Sequence, residues 1–538
     1  MRTHLCFYFF FIPFCLFLLN VSGQCRDDQR SLLIQLKDSF PFASAISNKL
    51  ASWSTNVTTD CCIWGGVTCS SIGQVIGLDL NSEAILGGID DSNVLFNLTN
   101  LQSLNLAANN FNFTQIPSRF GSFTSLSHLN LSNSGFSGQI PGELSQLTSL
   151  QTLDLSSLFS YGNRSLKLET PNLTTLVQNL TRLRYLYLDN VNISSQKFDW
   201  CQGLSSSSLP NLEVLSLSNC QLSGPLDDSL GELQSLSIIR LALNKLSSPV
   251  LDFFANFKNL TVLNLASCNL TGTFPKKVLQ LESLQIIDLS VNTNLYGSLP
   301  DFPMNGSLQS LVLSNTNFSG EIPQSIGNLK NLYRIELHTT NFSGEIPQSM
   351  GNLTQLSYLD LSSNKFVGEI PSFKLCKNLS HIDLSRIEGF LPKFSNPSLI
   401  SLDTLDLSGN KLEGEVPKSF FELRKLRVLL LSSNNLSGTV RTIDFQDRLS
   451  NLTILDLSFN NFTITTSVNL TLESRLPKFS SLKLASCNLK KFLNLRNQTR
   501  LINLDLSDNK IEGEIPKWIW KVGNGSLSYM KPFYFTRY

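Results

Sequence analysis

The sequence predicts an α/β repeat solenoid in which short parallel strands line a concave sheet. Three observations carry the prediction. A leucine pattern, L-x-x-L-x-L, recurs from Val75 to Glu514 in about 18 copies at a usual step of about 24 residues. The phrase "NFSGEIPQSIGNL", from Asn317 to Leu329, returns almost unchanged as "NFSGEIPQSMGNL" from Asn341 to Leu353. The composition offers little else to build a function from: 538 residues balance to a net charge of +1 with four histidines, so neither a charge-driven grip on nucleic acid nor a chemistry built on histidine is expected.

The chain opens with "MRTHLCFYFFFIPFCLFLLNVSGQ". Arg2 supplies a positive start, Leu5 to Leu19 is a nearly unbroken apolar run, and Val21 and Gly23 are small enough to precede a cleavage before Gln24. Residues 1–23 are therefore read as a secretory signal peptide. The run is short for a membrane span, and no later stretch reaches the roughly 20 apolar residues that one needs, so no anchor is expected in the mature chain as written. Export suits the cysteines, because Cys25, Cys61, Cys62 and Cys69 cluster at the new N-terminus, where an oxidising compartment would pair them. It also suits the dense Asn-X-Ser/Thr sequons, among them Asn56, Asn97, Asn112, Asn163, Asn179, Asn269, Asn341 and Asn435. Several sequons belong to the repeat itself, so glycans are expected on a subset; Asn130, in "LNLS", is expected to point into a tight strand.

Each repeat position has a physical reason. Alternation in L-x-L places two leucines on one face of a short strand. One coil cannot bury that face alone, so coils must stack, and strands about 4.8 Å apart then form a concave wall. This is the leucine-rich repeat, L-x-x-L-x-L-x-x-N/C-x-L. The ninth position bends the chain inward, and its side chain must find backbone partners, which predicts a ladder between coils. Asn109, Asn244, Asn364, Asn410, Asn434, Asn460 and Asn509 occupy it; Cys220, Cys268 and Cys487 take the same slot as reduced members. In the second half-repeat, Gly320, Gly344 and Gly414 supply a turn that other residues resist, and Pro323, Pro347 and Pro417 stop the segment.

The step lengthens twice, at "SSLFSYGNRSLKLETPNLTTLVQNLTR" and "SSQKFDWCQGLSSSSLP", and these excesses over 156–182 and 194–210 are expected as rim loops. Cys201 and Cys220 flank the second and could form a disulfide, although Cys220 also fits the ladder. At the end, "IPKWIWKVGNGSLSYM" begins another unit, with Leu527 and Met530 in L-x-x-L register, and residues 517–538 read as an aborted repeat and atypical tail that frays from Ser526.

The G-x-I-P half-repeat is the mark of plant extracellular leucine-rich repeats, and "CRDDQRSLLIQLKDSF" followed by "LASWSTNVTTDCCIWGGVTC" resembles the plant N-terminal cap. More narrowly, "LKLETPNLTTLVQNLTRLRYLYLDNVNIS" and "WCQGLSSSSLPNLEVLSLSNCQLSGPL" resemble receptor-like proteins of the Verticillium wilt-resistance type. The resemblance implies a plant-type leucine-rich-repeat superhelix with a disulfide-bonded cap over 24–72, Cys25 paired with Cys61 and Cys62 with Cys69, and repeats over 73–516. It implies perception of a microbial or endogenous ligand in plant defence, in the apoplast or at the plasma membrane, through a partner receptor kinase. Members of that family continue with further repeats, a C-terminal cap, a membrane span and a short tail, so the sequence reads as shortened before those parts, with membrane attachment only in a longer form. The alternatives are a secreted inhibitor of a microbial wall-degrading enzyme, similar to polygalacturonase-inhibiting proteins, and a soluble decoy that binds without signalling.

Catalysis is not expected. His128, His338 and His381 fall on separate coils, and no Gly-rich phosphate loop or kinase signature is present. The Asp of "LDLS" (Asp360, Asp406, Asp456, Asp505) is a repeat position, expected on the exposed wall, where replacing Asp406 should matter little. No cofactor or metal is expected, which leaves binding of a peptide, protein or glycan ligand. Solvent-facing strand positions are mostly Ser, Asn and Asp. The coils that depart from this carry Tyr185, Tyr187 and Asp189; Arg240; Arg334, Glu336 and His338; and His381, Asp383 and Arg386. Aromatic residues and Arg supply binding energy out of proportion to their number, so these are the candidate contacts.

Overall fold

Asp27 and Asp28 open, and Lys37 closes, a helix over Asp27–Ser39, each charge opposing the helix dipole at its own end. Leu33 and Leu36 point inward from this helix and are fully buried, and the Gln29 side chain accepts from the Val75 amide at 3.2 Å, tying the helix to the first repeat strand. Buried Glu83 accepts from the Lys49 and Leu50 amides, holding a short second helix, Lys49–Ser52, over the same coil. Val67–Cys69 runs antiparallel to Val75–Asp79, and Trp53 stacks on Trp64 with centroids 5.6 Å apart. Cys25–Cys61 and Cys62–Cys69 are disulfides with Cα separations of 5.4 and 5.5 Å, the pairing that the resemblance implied.

The structure is a computed structural model that describes residues 24–54, 59–158, 165–194, 200–204, 207–387, 401–445, 449–465 and 476–530. The expected signal peptide, Asn56, Asn163 and the last residues of the tail lie outside them, as do parts of both expected rim loops. No helix among the described residues is long and apolar enough to cross a membrane.

The chain divides into two units, Met1–Pro171 and Asn172–Tyr538. In the first, Val75–Asp79, Ser103–Asn105, His128–Asn130 and Thr152–Asp154 pair side by side in parallel. Leu78, Leu104, Leu129 and Leu153 stand opposite one another and are buried at 0–1% exposure, which is the face that no single coil could cover. In the second unit the same parallel pairing runs from Tyr185–Tyr187 to Tyr529–Met530. Met530 stands opposite Leu504, so the L-x-x-L register of the final unit holds as far as it is described.

The duplicated phrase does more than turn the chain. Thr316–Gly320 and Asn341–Glu345 are strands of a second parallel sheet, flanked by Thr271–Thr273, Asn292–Gly297 and Lys365–Val367. Phe318, Phe342 and Phe366 face inward from it and are fully buried, and Phe342 and Phe366 lie nearly parallel at 6.4 Å. Gly320 and Gly344 sit at φ 92° and 75°, a region that L side chains resist. Pro323 and Pro347 end the extended segment and immediately precede 3₁₀ helices at Gln324–Asn328 and Gln348–Asn352. Gly327 allows neighbouring coils to close: a Cβ there would lie 2.8 Å from the Ser349 carbonyl oxygen.

Candidate functional site

The ladder forms as its residue types require. Asn244 donates from Nδ2 to the Leu217 and Leu241 carbonyls, each at 2.8 Å, and its Oδ1 accepts from the Cys220 and Leu222 amides at 3.0 Å. The Cys220 and Cys268 thiols each lie 3.0 Å from a leucine carbonyl of the preceding coil, so they replace the donor half of the asparagine amide. Cys201 and Cys220 are free and buried, so the disulfide between them is not made. Burial pushes the Cys201, Cys268 and Cys487 thiols up to about 12, which keeps them protonated and unreactive. Asn292, Thr316 and Thr340 also fill the slot, and the sequence reading missed them. Asn292 was legible by counting from Leu284. The threonines were not, because they lie outside the N/C pattern and keep only one hydroxyl, bonded to the leucine carbonyl three residues back.

The repeated aspartate is not an idle wall residue, and the expectation for Asp406 is corrected. Its Oδ1 accepts from the Ser408 amide at 2.8 Å, and Asp360 and Asp505 each hold both the amide and the hydroxyl of the serine two residues on. The carboxylate caps the strand exit, a role that asparagine plays at Asn105, Asn130 and Asn264. The residue before the ladder slot is left-handed in coil after coil. Asn and Ser tolerate this, but Leu243 (φ 61°), Val291 (φ 58°) and Phe459 (φ 57°) sit there too, at 59, 51 and 46% exposure.

One group of candidates converges. Arg334, Tyr358 and His381 start adjacent strands and stand directly opposite one another in register. The Arg334 guanidinium lies 4.7 Å from the Tyr358 ring centroid, and the Tyr358 and His381 rings stack at 4.2 Å, 1° from parallel. Two residues on, Glu336, Asp360, Asp383 and Asp406 form a second row in the same register. Arg334 pairs with Glu336, so the basic end of the stack is tied to the acidic row. Burial is the largest cause raising Glu336 above the usual carboxylate range, and Arg334 pulls it back. Burial, then Asp406 and Asp360, raise Asp383 to about 7, so this carboxyl keeps its proton over a range in which a free aspartate would release it. Burial also lowers His381. His338 is half-exposed at the next outward position, with Nδ1 3.4 Å from the Thr339 hydroxyl, and Arg386 is exposed at a left-handed position.

The remaining candidates lie elsewhere. Tyr185 is six strands from Arg334 along one row, about 29 Å at 4.8 Å per strand. Its hydroxyl donates to Glu213, which also takes Arg184 at 2.5 Å. Asp189 accepts from the Ser216 hydroxyl and the Ser218 amide, a structural role. Tyr187 and Arg240 share the row of Glu336, but Arg240 is four strands short of it. Tyr358, at the centre of the stack, was not among the predicted residues. Its signal was present: it holds the same repeat position as Arg334 and His381.

A leucine-rich-repeat N-terminal domain model matches residues 26–70, and leucine-rich-repeat models match 389–436 and six segments between 125–147 and 500–522. The chain is a leucine-rich-repeat protein with an N-terminal cap. Within that class it is similar to plant receptor-like proteins. It is 37% identical over 249 residues to Receptor-like protein 6 of Arabidopsis thaliana, covering 43% of this chain, and 33% identical over 234 residues to Receptor-like protein Cf-9 of Solanum pimpinellifolium, covering 41%. These matches span 24% and 26% of the relatives' own length. Among solved structures, the Arabidopsis receptor kinase HAESA, in complex with the peptide hormone IDA and the co-receptor SERK1, matches with a TM-score of 0.61 at 26% identity, covering 94% of this chain and 97% of that one. A TDR receptor matches with a TM-score of 0.66 at 24% identity, covering 82% and 78%, which supports the fold alone.

Proposed function

We propose that the chain is an extracellular, non-catalytic ligand-binding protein of plant defence signalling. Its strand wall captures a microbial or endogenous ligand, a peptide in the first instance, and the signal passes through a partner receptor kinase. One observation carries the reading: the Arg334–Tyr358–His381 stack, beside an acidic row, interrupts a row in which Val214, Ile238, Val262, Ile286, Val428 and Ile454 hold the equivalent positions. A flat aromatic face with a fixed guanidinium offers large contact area at little entropic cost. HAESA, whose fold the chain shares, is solved with a peptide hormone and a co-receptor, which supports both the ligand class and the need for a partner.

The test is selection of a displayed random peptide library on the secreted protein. Selection should converge on peptides that bind the parent chain. Their affinity should fall at least about 30-fold with Tyr358→Ala, corresponding to a hot-spot loss of about 2 kcal/mol. Tyr185→Ala should leave it within about threefold. No convergence, or equal binding by the Tyr358→Ala chain, would refute the peptide reading at this patch.

A further inference from the structure

We propose that N-linked oligosaccharides border the strand wall without entering it: at Asn97, Asn259, Asn352 and Asn378, on only one of Asn317 and Asn341 in any molecule, and not at Asn130. This rests on the extracellular reading above, because the donor, a lipid-diphosphate oligosaccharide, is met only in the secretory pathway. In the transfer, Asn Nδ2 loses a proton and bonds to the anomeric carbon, and the lipid diphosphate leaves with its bonding pair. The sequon is modified as the chain emerges, so the folded structure acts as a filter: a glycan whose asparagine cannot stay outside would block closure of its coil.

The first four sites pass that filter for a shared reason. In each, the middle residue of the sequon is a core leucine: Leu98, Leu260, Leu353 or Leu379, at 0–1% exposure. That leucine lies ahead of the wall strand and not within it, and Asn97, Asn259, Asn352 and Asn378 are all exposed. They precede the strands, on the flank that leads into the wall.

Asn317 and Asn341 lie on the other flank, one residue past the ladder slot, and come from the two copies of the duplicated phrase. Asn341 Nδ2 donates to Asn317 Oδ1 at 2.5 Å. A glycosylated asparagine keeps one N–H, so this bond tolerates one sugar. Two would share a gap of about 4.8 Å between coils, less than the width of a sugar ring. Asn130 differs from all of these. It is half-buried within the wall strand His128–Asn130, in register between Asn105 and Asp154, and its Oδ1 accepts from the Ser132 amide at 2.9 Å. In the second unit, among the described residues, no residue of a wall strand from Tyr185–Tyr187 to Tyr529–Met530 begins a sequon. The face that holds Arg334, Tyr358 and His381 is thereby left bare between two decorated flanks.

The experiment uses the full chain secreted from plant cells. Peptide N-glycosidase A in heavy-oxygen water marks each formerly glycosylated asparagine, and peptide mass mapping measures occupancy. Expected are high occupancy at Asn97, Asn259, Asn352 and Asn378, none at Asn130, and fractions at Asn317 and Asn341 that sum to one or less. In the intact protein, Asn352→Gln should remove one glycan mass and Asn130→Gln none. Occupancy at Asn130, a sum clearly above one, or a secreted chain bare at the four flank sites would overturn the proposal while leaving the extracellular reading intact. A chain that is retained in the cell and unmodified would overturn the extracellular reading and this inference with it.

Discussion

Replacing Asn410 by Leu tests the ladder at its most local. Asn410 is 7% exposed, donates to the Leu384 and Leu407 carbonyls at 2.8 and 2.9 Å, and accepts from the Ile387 amide at 2.7 Å. Leucine fills much of the volume but removes all three bonds. The Leu407 carbonyl keeps the bond from Asn434, so two buried groups, the Leu384 carbonyl and the Ile387 amide, lose the partner that Asn410 supplied. At about 1–3 kcal/mol per orphaned group, the loss should be about 2–6 kcal/mol. Asn410→Cys makes the comparison decisive. A thiol still reaches the carbonyl, as it does at Cys220 and Cys268 in this chain, so only the Ile387 amide is orphaned and the loss should be roughly half. Non-reducing urea unfolding would measure both variants, with hydrogen exchange at Ile387 as the local readout. A Leu variant within about 0.5 kcal/mol of the parent, or Leu and Cys variants equally destabilised, would refute the ladder reasoning.

Three further outcomes are expected. Val291→Asn should stabilise the chain by about 1 kcal/mol in thermal or urea unfolding, because a β-branched residue at φ 58° is replaced by one that tolerates the left-handed region. Asp383, raised chiefly by burial from 3.8 to about 7, binds more protons folded than unfolded over that window, so its contribution to stability is fully present below about pH 4 and is lost as pH rises to about 7; Asp383→Asn should flatten that slope, as unfolding across the range would show. Differential alkylation and mass mapping should find Cys25, Cys61, Cys62 and Cys69 oxidised and Cys201, Cys220, Cys268, Cys376 and Cys487 reduced; losing the Cys25–Cys61 bridge should cost about 2–4 kcal/mol.

The coil was legible because its determinants are local and repeated. L-x-L alternation, the asparagine slot and the glycine of "NFSG" each act within a few residues, and many copies in register remove the ambiguity that one copy would leave. The core leucines and most ladder members therefore stand where the sequence reading placed them, and the cap disulfides join the pairs that the resemblance implied. What escaped it depends on neighbours that are distant along the chain. The second sheet exists because "NFSG" segments of successive coils lie side by side, and a single half-repeat carries only a turn signal. Asp406 reads as a polar wall residue until the Ser408 amide is seen beneath it.

The candidate site shows the same division more sharply. Reading along the chain groups residues by coil, which joined Tyr185 to Tyr187 and Arg334 to Glu336 and His338. The wall groups them by column instead: strand pairing sets Tyr358 between Arg334 and His381 and leaves Tyr185 about 29 Å away. The sequence by itself determined the coil, because burying two leucines per strand is a requirement of each repeat taken alone. Only the tertiary structure decided which side chains meet, because stacking faces are set by register between coils, and each coil adds a strand whose neighbours come from other parts of the chain.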